Sequence, residues 1–158
     1  MLGLPEIVRV LPHRHPVLMI DRVAHLEPGR RITAVKAITA AEPCYAGVAD
    51  DAAQEDYAFP VSLLIEAFGQ AGALLWLYSA RLDGDEPAGL PLFGAARDFR
   101  VERHAYPGDV LELAVELDSA KGDTAFLSGE IRVRGERVAT VGSMLAVARG
   151  AIPTRTTD

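Results

Sequence analysis

The sequence predicts an α+β fold in which an antiparallel sheet wraps around one long central helix. Three observations lead there. Only one stretch, from about Pro60 to Leu82, carries an apolar pattern long enough for a central helix. Four strand-like runs separated by turn signals follow it, and two more precede it. The 158 residues, 49% apolar and 24% charged, have the size and composition of one compact domain with a real core. The expected organisation is a single domain over residues 1–150 and a polar, flexible tail over 151–158.

Each element has a local reason. The stretch from Leu4 to Pro12 is short and bounded by Pro5 and Pro12, so it reads as one helical turn before an extended segment. Pro16 to Ile20 reads as the start of a buried strand that continues through Asp21 to Leu26. Pro28-Gly29-Arg30 marks a turn, and Arg31 to Ile38 alternates with period two, which completes a hairpin. An acidic loop from Ala41 to Ala58 then leads to the long helix, where Pro60 stands near the first turn and its missing N–H costs nothing. Gly84 and Pro87 end that helix. The later strands are expected over Leu92–Arg103, Asp109–Ser119, Thr124–Arg134 and Arg137–Val147. Between them lie Pro107-Gly108, Lys121-Gly122-Asp123 and Gly135-Glu136. A sheet that covers only one helix leaves its edge strands exposed, so pairing through a sheet edge with a second copy or a related chain is expected.

Composition excludes several classes. A net charge of −6 argues against nucleic acid as the main partner, since phosphate binding needs a concentrated basic face. The single Cys44 excludes an intrachain disulfide and a cysteine-rich metal site. No basic, then apolar, then small-residue signal opens the chain, and the expected compartment is the cytoplasm. The longest apolar run, Leu63 to Tyr78, is interrupted by Glu66 and Gln70 and falls short of the roughly 20 residues that span a bilayer, so no membrane segment is expected.

The same interruption is the best lead to function. Glu66 and Gln70 lie four residues apart on one face of an otherwise apolar helix, and ordinary core packing requires neither. A carboxyl lodged among Leu63, Ile65 and Phe68 loses solvation, which makes Glu66 a candidate general acid. Gln70 both donates and accepts, so it can orient that carboxyl or a bound water. The competing reading for both is structural: hydrogen bonding across a helix or subunit contact. No histidine, cysteine or lysine lies between Gly47 and Ala58 to act as a base with Glu66. Four histidines are candidate replacement bases: His13 and His15, in a proline-bracketed segment, read first as ordering the chain ahead of the first strand, and His25 and His104 as solvated or packed, with replacement of the base by one of them as the competing reading. No cofactor or metal is expected, because the histidine pair has no carboxylate or cysteine cluster beside it and Asp50, Asp51, Glu55 and Asp56 lack calcium-loop spacing. Ser62 has no glycine-flanked elbow and Cys44 no evident base, so neither reads as a nucleophile.

Four segments in order resemble the hot-dog-fold 3-hydroxyacyl-acyl-carrier-protein dehydratases of bacterial fatty-acid synthesis. They are Leu11-Pro12-His13-Arg14-His15-Pro16 with Val17 to Val23, Glu42-Pro43-Cys44-Tyr45-Ala46-Gly47, Leu64 to Gly72, and Arg103 to Leu111 with its Pro107-Gly108-Asp109 turn. The resemblance runs over residues 4–148. It implies a dimer in which a histidine just after the position of Gly47 removes the proton beside the thioester carbonyl. A glutamate at the position of Glu66, from the other subunit, then helps the 3-hydroxyl leave as water. Here that histidine position falls on Val48, the histidine-phenylalanine-proline-glycine run is gone, and the loop to the helix is longer than in the family.

The resemblance further implies a substrate that approaches the start of the helix at Pro60, Val61 and Ser62, where Val61 replaces a glycine and leaves less room. It places Arg97, Arg100 and Arg103 near a face that docks acidic acyl-carrier protein, with ordinary surface arginine as the competing reading. The expectation is a dehydratase-like subunit that acts on acyl-phosphopantetheine thioesters of acyl-carrier protein in fatty-acid or polyketide biosynthesis. It needs a related hot-dog subunit to supply the histidine. The alternatives are a non-catalytic acyl-binding or stabilising partner, and a hot-dog thioesterase in which Glu66 activates water.

Overall fold

A 23-residue helix, α2 (Val61–Asp83), forms the centre of the molecule, and every residue from Ala67 to Leu77 on it is buried. A helical stretch that is apolar on all sides must be covered on all sides, and the rest of the chain does this for residues 67–77. The computed structural model describes residues 1–85, 87 and 89–150. The tail expected over 151–158 lies outside the described residues. Pro60 precedes the first turn of α2, and the helix stops at Gly84. Gly84 takes a left-handed φ of 72° and donates its N–H to Ala80 and Arg81, a conformation that glycine adopts without steric cost. By length and composition the stretch Gln54–Asp83, which contains α2, could cross a bilayer, but 61% of its most apolar window is buried inside the protein.

Before α2 come a short helix, α1 (Leu4–Val10), and a hairpin of β1 (Arg22–Glu27) and β2 (Arg31–Ala37), closed at Gly29 with a φ of 71°. After it come β3 (Leu90–Val101), β4 (Val110–Lys121), β5 (Thr124–Val133) and β6 (Glu136–Arg149). The six strands form one antiparallel sheet in the order β1-β2-β4-β5-β6-β3. The last three strands are a meander, and β3 crosses to the far side to pair with β6 from Leu90↔Arg149 to Val101↔Ala139. The expected fold class and the order of its elements are therefore present. Arg134 and Gly135, with φ of 53° and 80°, close the β5–β6 hairpin as the left-handed two-residue turn that matches strand twist.

The leading segment differs from expectation. Pro16 to Ile20 is not a strand, and β1 starts only at Arg22. The Val17 and Leu18 N–H groups turn back on the Arg14 carbonyl, and the Met19 N–H is taken by the Gln70 side chain, so these backbone groups are not available to a neighbouring strand. In β2 the half-buried alternation breaks at Ala34, Val35 and Lys36, all buried. Lys36 is accommodated because its ammonium pairs with the Glu42 carboxylate and donates to the Ala37 carbonyl at 2.9 Å.

The two sheet edges are unlike. Leu2 covers the start of β1 through mutual backbone hydrogen bonds with Val23. The outer edge of β3 has no strand beside it among the described residues, and residues 94–98 on it are exposed together with Leu90 and Leu92.

Two glycines let the sheet lie against the helix backbone. A Cβ on Gly69 would stand 2.1 Å from Cζ of Phe93, and one on Gly72 would stand 2.6 Å from Cδ1 of Leu127. Gly69→Ala gains helix propensity of about 0.5–1 kcal/mol but overpacks the Phe93 ring at a cost of about 1–3 kcal/mol. The expected outcome is a net loss near 1 kcal/mol, read as a fall in Tm of roughly 2–4 °C in thermal unfolding. In a Phe93→Ala background the same substitution should be neutral or stabilising, and a rise in Tm in the wild-type background would refute the contact.

Candidate functional site

The site begins with the segment that joins α1 to β1. The Arg14 guanidinium gathers three carbonyls, Leu11 and His13 at 2.7 Å and Val8 at 2.9 Å, and so caps the end of α1 and fixes the backbone of His13. Farther along, this segment crosses α2 at Gln70, which is completely buried. The Gln70 amide meets its surroundings on both sides. Its oxygen accepts the Met19 N–H at 2.8 Å, and its nitrogen donates to the Val17 carbonyl at 2.7 Å and to Glu66 Oε1 at 2.8 Å. A primary amide has two N–H donors and one carbonyl, and here all are engaged.

Glu66 stands one turn earlier and keeps a third of its side chain exposed. The enclosure expected from Leu63, Ile65 and Phe68 is only partial, because Leu63 and Ile65 are themselves half-buried. Its two carboxylate oxygens are not equivalent. Oε1 takes the Gln70 bond and lies 3.7 Å from Nε2 of His13, whereas Oε2 takes no hydrogen bond among the described residues. The His13 side chain is 19% exposed, and its Nδ1 is buried without a hydrogen-bond partner. Burial, chiefly, with the nearby Arg14 charge, pushes the imidazole pKa below its ordinary value, and Glu66 partly offsets this.

The remaining candidates are distributed as follows. Pro60 is half-buried at the helix start, Val61 is 41% exposed, and Ser62 is exposed on the same helical face as Glu66, four residues on. Arg97 and Arg100 are exposed on the open strand β3. Arg103 is past the end of that strand, where it donates to the Val133 carbonyl at 2.9 Å and pairs with Glu136 at 3.2 Å, so the three arginines do not form one strand face. His15 is exposed. His25 pairs with Glu27, whose carboxylate is pulled down to about 2 by hydrogen bonds from Arg31 and His25. His104 is exposed and stacks edge-on to Tyr106.

In the acidic loop, Asp50, Asp51, Glu55 and Asp56 are exposed, and Val48 packs half-buried against the core. Tyr57 from this loop leans on Tyr45 at a centroid distance of 6.0 Å. Cys44 is a free, half-buried thiol, pushed up by burial and by Glu42, which works against a reactive thiolate. Among the described residues no three histidine, cysteine, aspartate or glutamate side chains come together to hold a metal.

The structure thus brings Glu66 and Gln70 together, as their spacing predicts, and adds His13, which the sequence suggests first as a residue that orders the chain and otherwise as a replacement base. Chemically, the group offers a carboxyl with one oxygen held and the other open to solvent, beside an exposed helix start. Such a carboxyl can deliver or accept a proton at a fixed point.

The chain matches the model of the FabA-like domain over residues 11–142. It is 34% identical to the 3-hydroxyacyl-acyl-carrier-protein dehydratase FabZ of Clostridium kluyveri over 90% of this chain and 93% of that protein. It is 36% identical to the FabZ of Symbiobacterium thermophilum over 92% and 97%. Among solved structures it is similar to a chain of the dehydratase heterocomplex ApeI:P from Xenorhabdus doucetiae, with a TM-score of 0.76, 17% identity and 91% of both chains covered. It is also similar to a hypothetical thioesterase with coenzyme A from Streptococcus pneumoniae, with a TM-score of 0.58, 9% identity and 92% of both chains covered. These structural likenesses establish the hot-dog fold.

Because Gln70 ties the leading segment to α2, Gln70→Met leaves the Met19 N–H and the Val17 carbonyl unmatched in a dry site. The expected loss is about 2–4 kcal/mol, read as a lower urea midpoint at unchanged slope. Glu66→Gln removes neither bond to the leading segment and should stay within about 1 kcal/mol of wild type.

Proposed function

The chain belongs to the FabA-like family, and from that premise we propose that it is a dehydratase-type subunit acting on 3-hydroxyacyl thioesters of acyl-carrier protein, in fatty-acid or polyketide biosynthesis. One observation carries this reading: Glu66 is held on α2 by a single oxygen, and the other takes no hydrogen bond among the described residues, although folding does not require a carboxyl there. In the reaction a base removes a proton from the carbon beside the thioester carbonyl. Glu66 donates its proton to the 3-hydroxyl, the C–O bond breaks, water leaves, and the electrons of the lost C–H bond become the carbon–carbon double bond. Glu66 is then a carboxylate and regains a proton from solvent.

The base is not in the acidic loop, where Val48 takes the place that the family resemblance gives to histidine. A related hot-dog subunit would supply it, and the open edge of β3 offers that subunit a strand to pair with. Such a pair contains one competent site, composed of the partner's histidine and this chain's Glu66. The solved dehydratase heterocomplex to which this chain is similar supports two unlike subunits as a workable arrangement. Pro60, Val61 and Ser62 border the approach to Glu66, and Arg97 and Arg100 present positive charge to an acidic carrier; Arg103 is the weaker docking candidate, since Glu136 already engages it. A substrate carried on acyl-carrier protein fits a cytoplasmic location. The similarity to a thioesterase structure favours one second reading, in which Glu66 directs water onto the thioester carbonyl and releases free acid.

Mass spectrometry of a 3-hydroxyacyl carrier protein separates these outcomes. The isolated chain should leave the substrate intact, the chain with its related subunit should convert it with loss of one water, and Glu66→Gln in the pair should lower the rate at least about 100-fold. Full activity of the Glu66→Gln pair would end the dehydratase reading, and release of free acid without a 3-hydroxyl would establish the thioesterase.

A further inference from the structure

We propose that His13 is a positioning residue for Glu66, donating from Nε2–H toward Oε1, and that it is not a substitute for the missing base. Its effect on turnover rests on the dehydratase reading above; its tautomer and its coupling to Glu66 do not.

The assignment follows from the hydrogen-bond network. A neutral imidazole has one N–H and one bare nitrogen. With the proton on Nδ1, a donor would be buried without a partner, at a cost of about 1–3 kcal/mol, and the lone pair of Nε2 would face a carboxylate oxygen. With the proton on Nε2, the donor lies 3.7 Å from Oε1 and only an acceptor goes unmatched, which is the milder defect. The imidazolium would again place an unmatched N–H at Nδ1. Two charged groups face the ring: Glu66 from α2 and Arg14 from the adjacent position of the same segment. The first attracts the Nε2 proton, and the second opposes a second proton.

Two consequences follow. The only nitrogen of His13 able to accept a proton is Nδ1, which is sealed from solvent, so a substrate cannot use it. And His13 and Gln70 converge on the same oxygen of Glu66, which leaves Oε2 as the reacting atom. At 3.7 Å the His13 contact exceeds hydrogen-bond length, as catalytic contacts without substrate often do before they tighten in the complex. Arg14, by holding the His13 carbonyl, keeps the ring within reach.

The test uses the full chain, 15N-labelled at histidine, and follows the His13 ring nitrogens by NMR across pH. The expected result is the Nε2–H tautomer at neutral pH, with a protonation midpoint that falls further in Glu66→Gln because an attracting charge is gone. An Nδ1–H tautomer, or a midpoint indifferent to Glu66→Gln, would overturn the proposal. The second arm measures dehydration by the chain with its related subunit. His13→Ala should lower kcat on the order of tenfold with KM little changed, as expected for one lost bond to a charged group. His13→Gln, whose amide nitrogen reaches the Nε2 position, should restore most of that loss, whereas His13→Asn, whose amide lies at Nδ1, should not. Equal kcat in all three variants, or a loss confined to KM, would overturn it. If no pair turns over at all, the dehydratase reading fails, and the NMR arm alone decides the role of His13.

Discussion

Burying α2 from Ala67 to Leu77 requires each polar group in that stretch to find a partner within the protein. Gln70 meets that requirement by reaching across to the leading segment, and in doing so it fixes where that segment runs. Once Val17 and Met19 are held, Asp21 is placed to donate to the Val35 carbonyl, and the β1–β2 hairpin takes its position beside β4. Arg14 secures the same segment at its other end, on the carbonyls that finish α1. A single buried amide therefore couples the central helix, the N-terminal strap and one edge of the sheet. It also supplies the bond that orients Glu66, so stability and site geometry depend on one side chain.

The two ends of the sheet divide the labour. The β1 edge is partly closed by Leu2, whereas the β3 edge carries exposed leucines and arginines and has no strand beside it among the described residues. An edge of this kind invites strand pairing, and a pairing partner is what the proposed site, with Glu66 as donor and its base from elsewhere, would need. The same geometry bears on Glu66 itself. In the single chain a third of its side chain remains in water, and a subunit laid along the open edge and over the helix start would remove that exposure. The completion of the site and the shielding of its acid would then be one event.

Much of the fold is legible in the sequence because its signals are local: Pro60 and Gly84 bound the helix, and Gly29, Gly122 and Gly135 mark hairpins whose φ values only a left-handed conformation satisfies. Where sequence reading fails, the controlling partner is distant. Pro16 to Ile20 has strand composition but is held by a glutamine more than fifty residues away. Lys36 interrupts a half-buried strand pattern because Glu42 comes back to meet it. The spacing of Glu66 and Gln70 reveals one helical face, yet nothing in it indicates that His13 comes to rest against the same oxygen. The surroundings of the arginine run are equally distant in sequence: Arg103, past the end of β3, is engaged by Val133 and Glu136, while Arg97 and Arg100 stay exposed on the strand.

Glu66 and Gln70 differ in what their presence implies. Gln70 is fully explained by folding: it is wholly buried, all its hydrogen-bonding groups are used, and removing it would leave two main-chain groups unmatched. A protein with no chemistry to perform would need it just as much. Glu66 is not explained in this way. Gln70 retains both bonds to the leading segment without it, and among the described residues one of the Glu66 oxygens takes no hydrogen bond and the side chain secures no main-chain group, while a carboxylate at the edge of an apolar helix adds desolvation cost. A leucine or methionine there would cover the helix better. The functional reading therefore rests on Glu66, with Gln70 as the structural amide that aims it and His13 as the second group acting on the same oxygen.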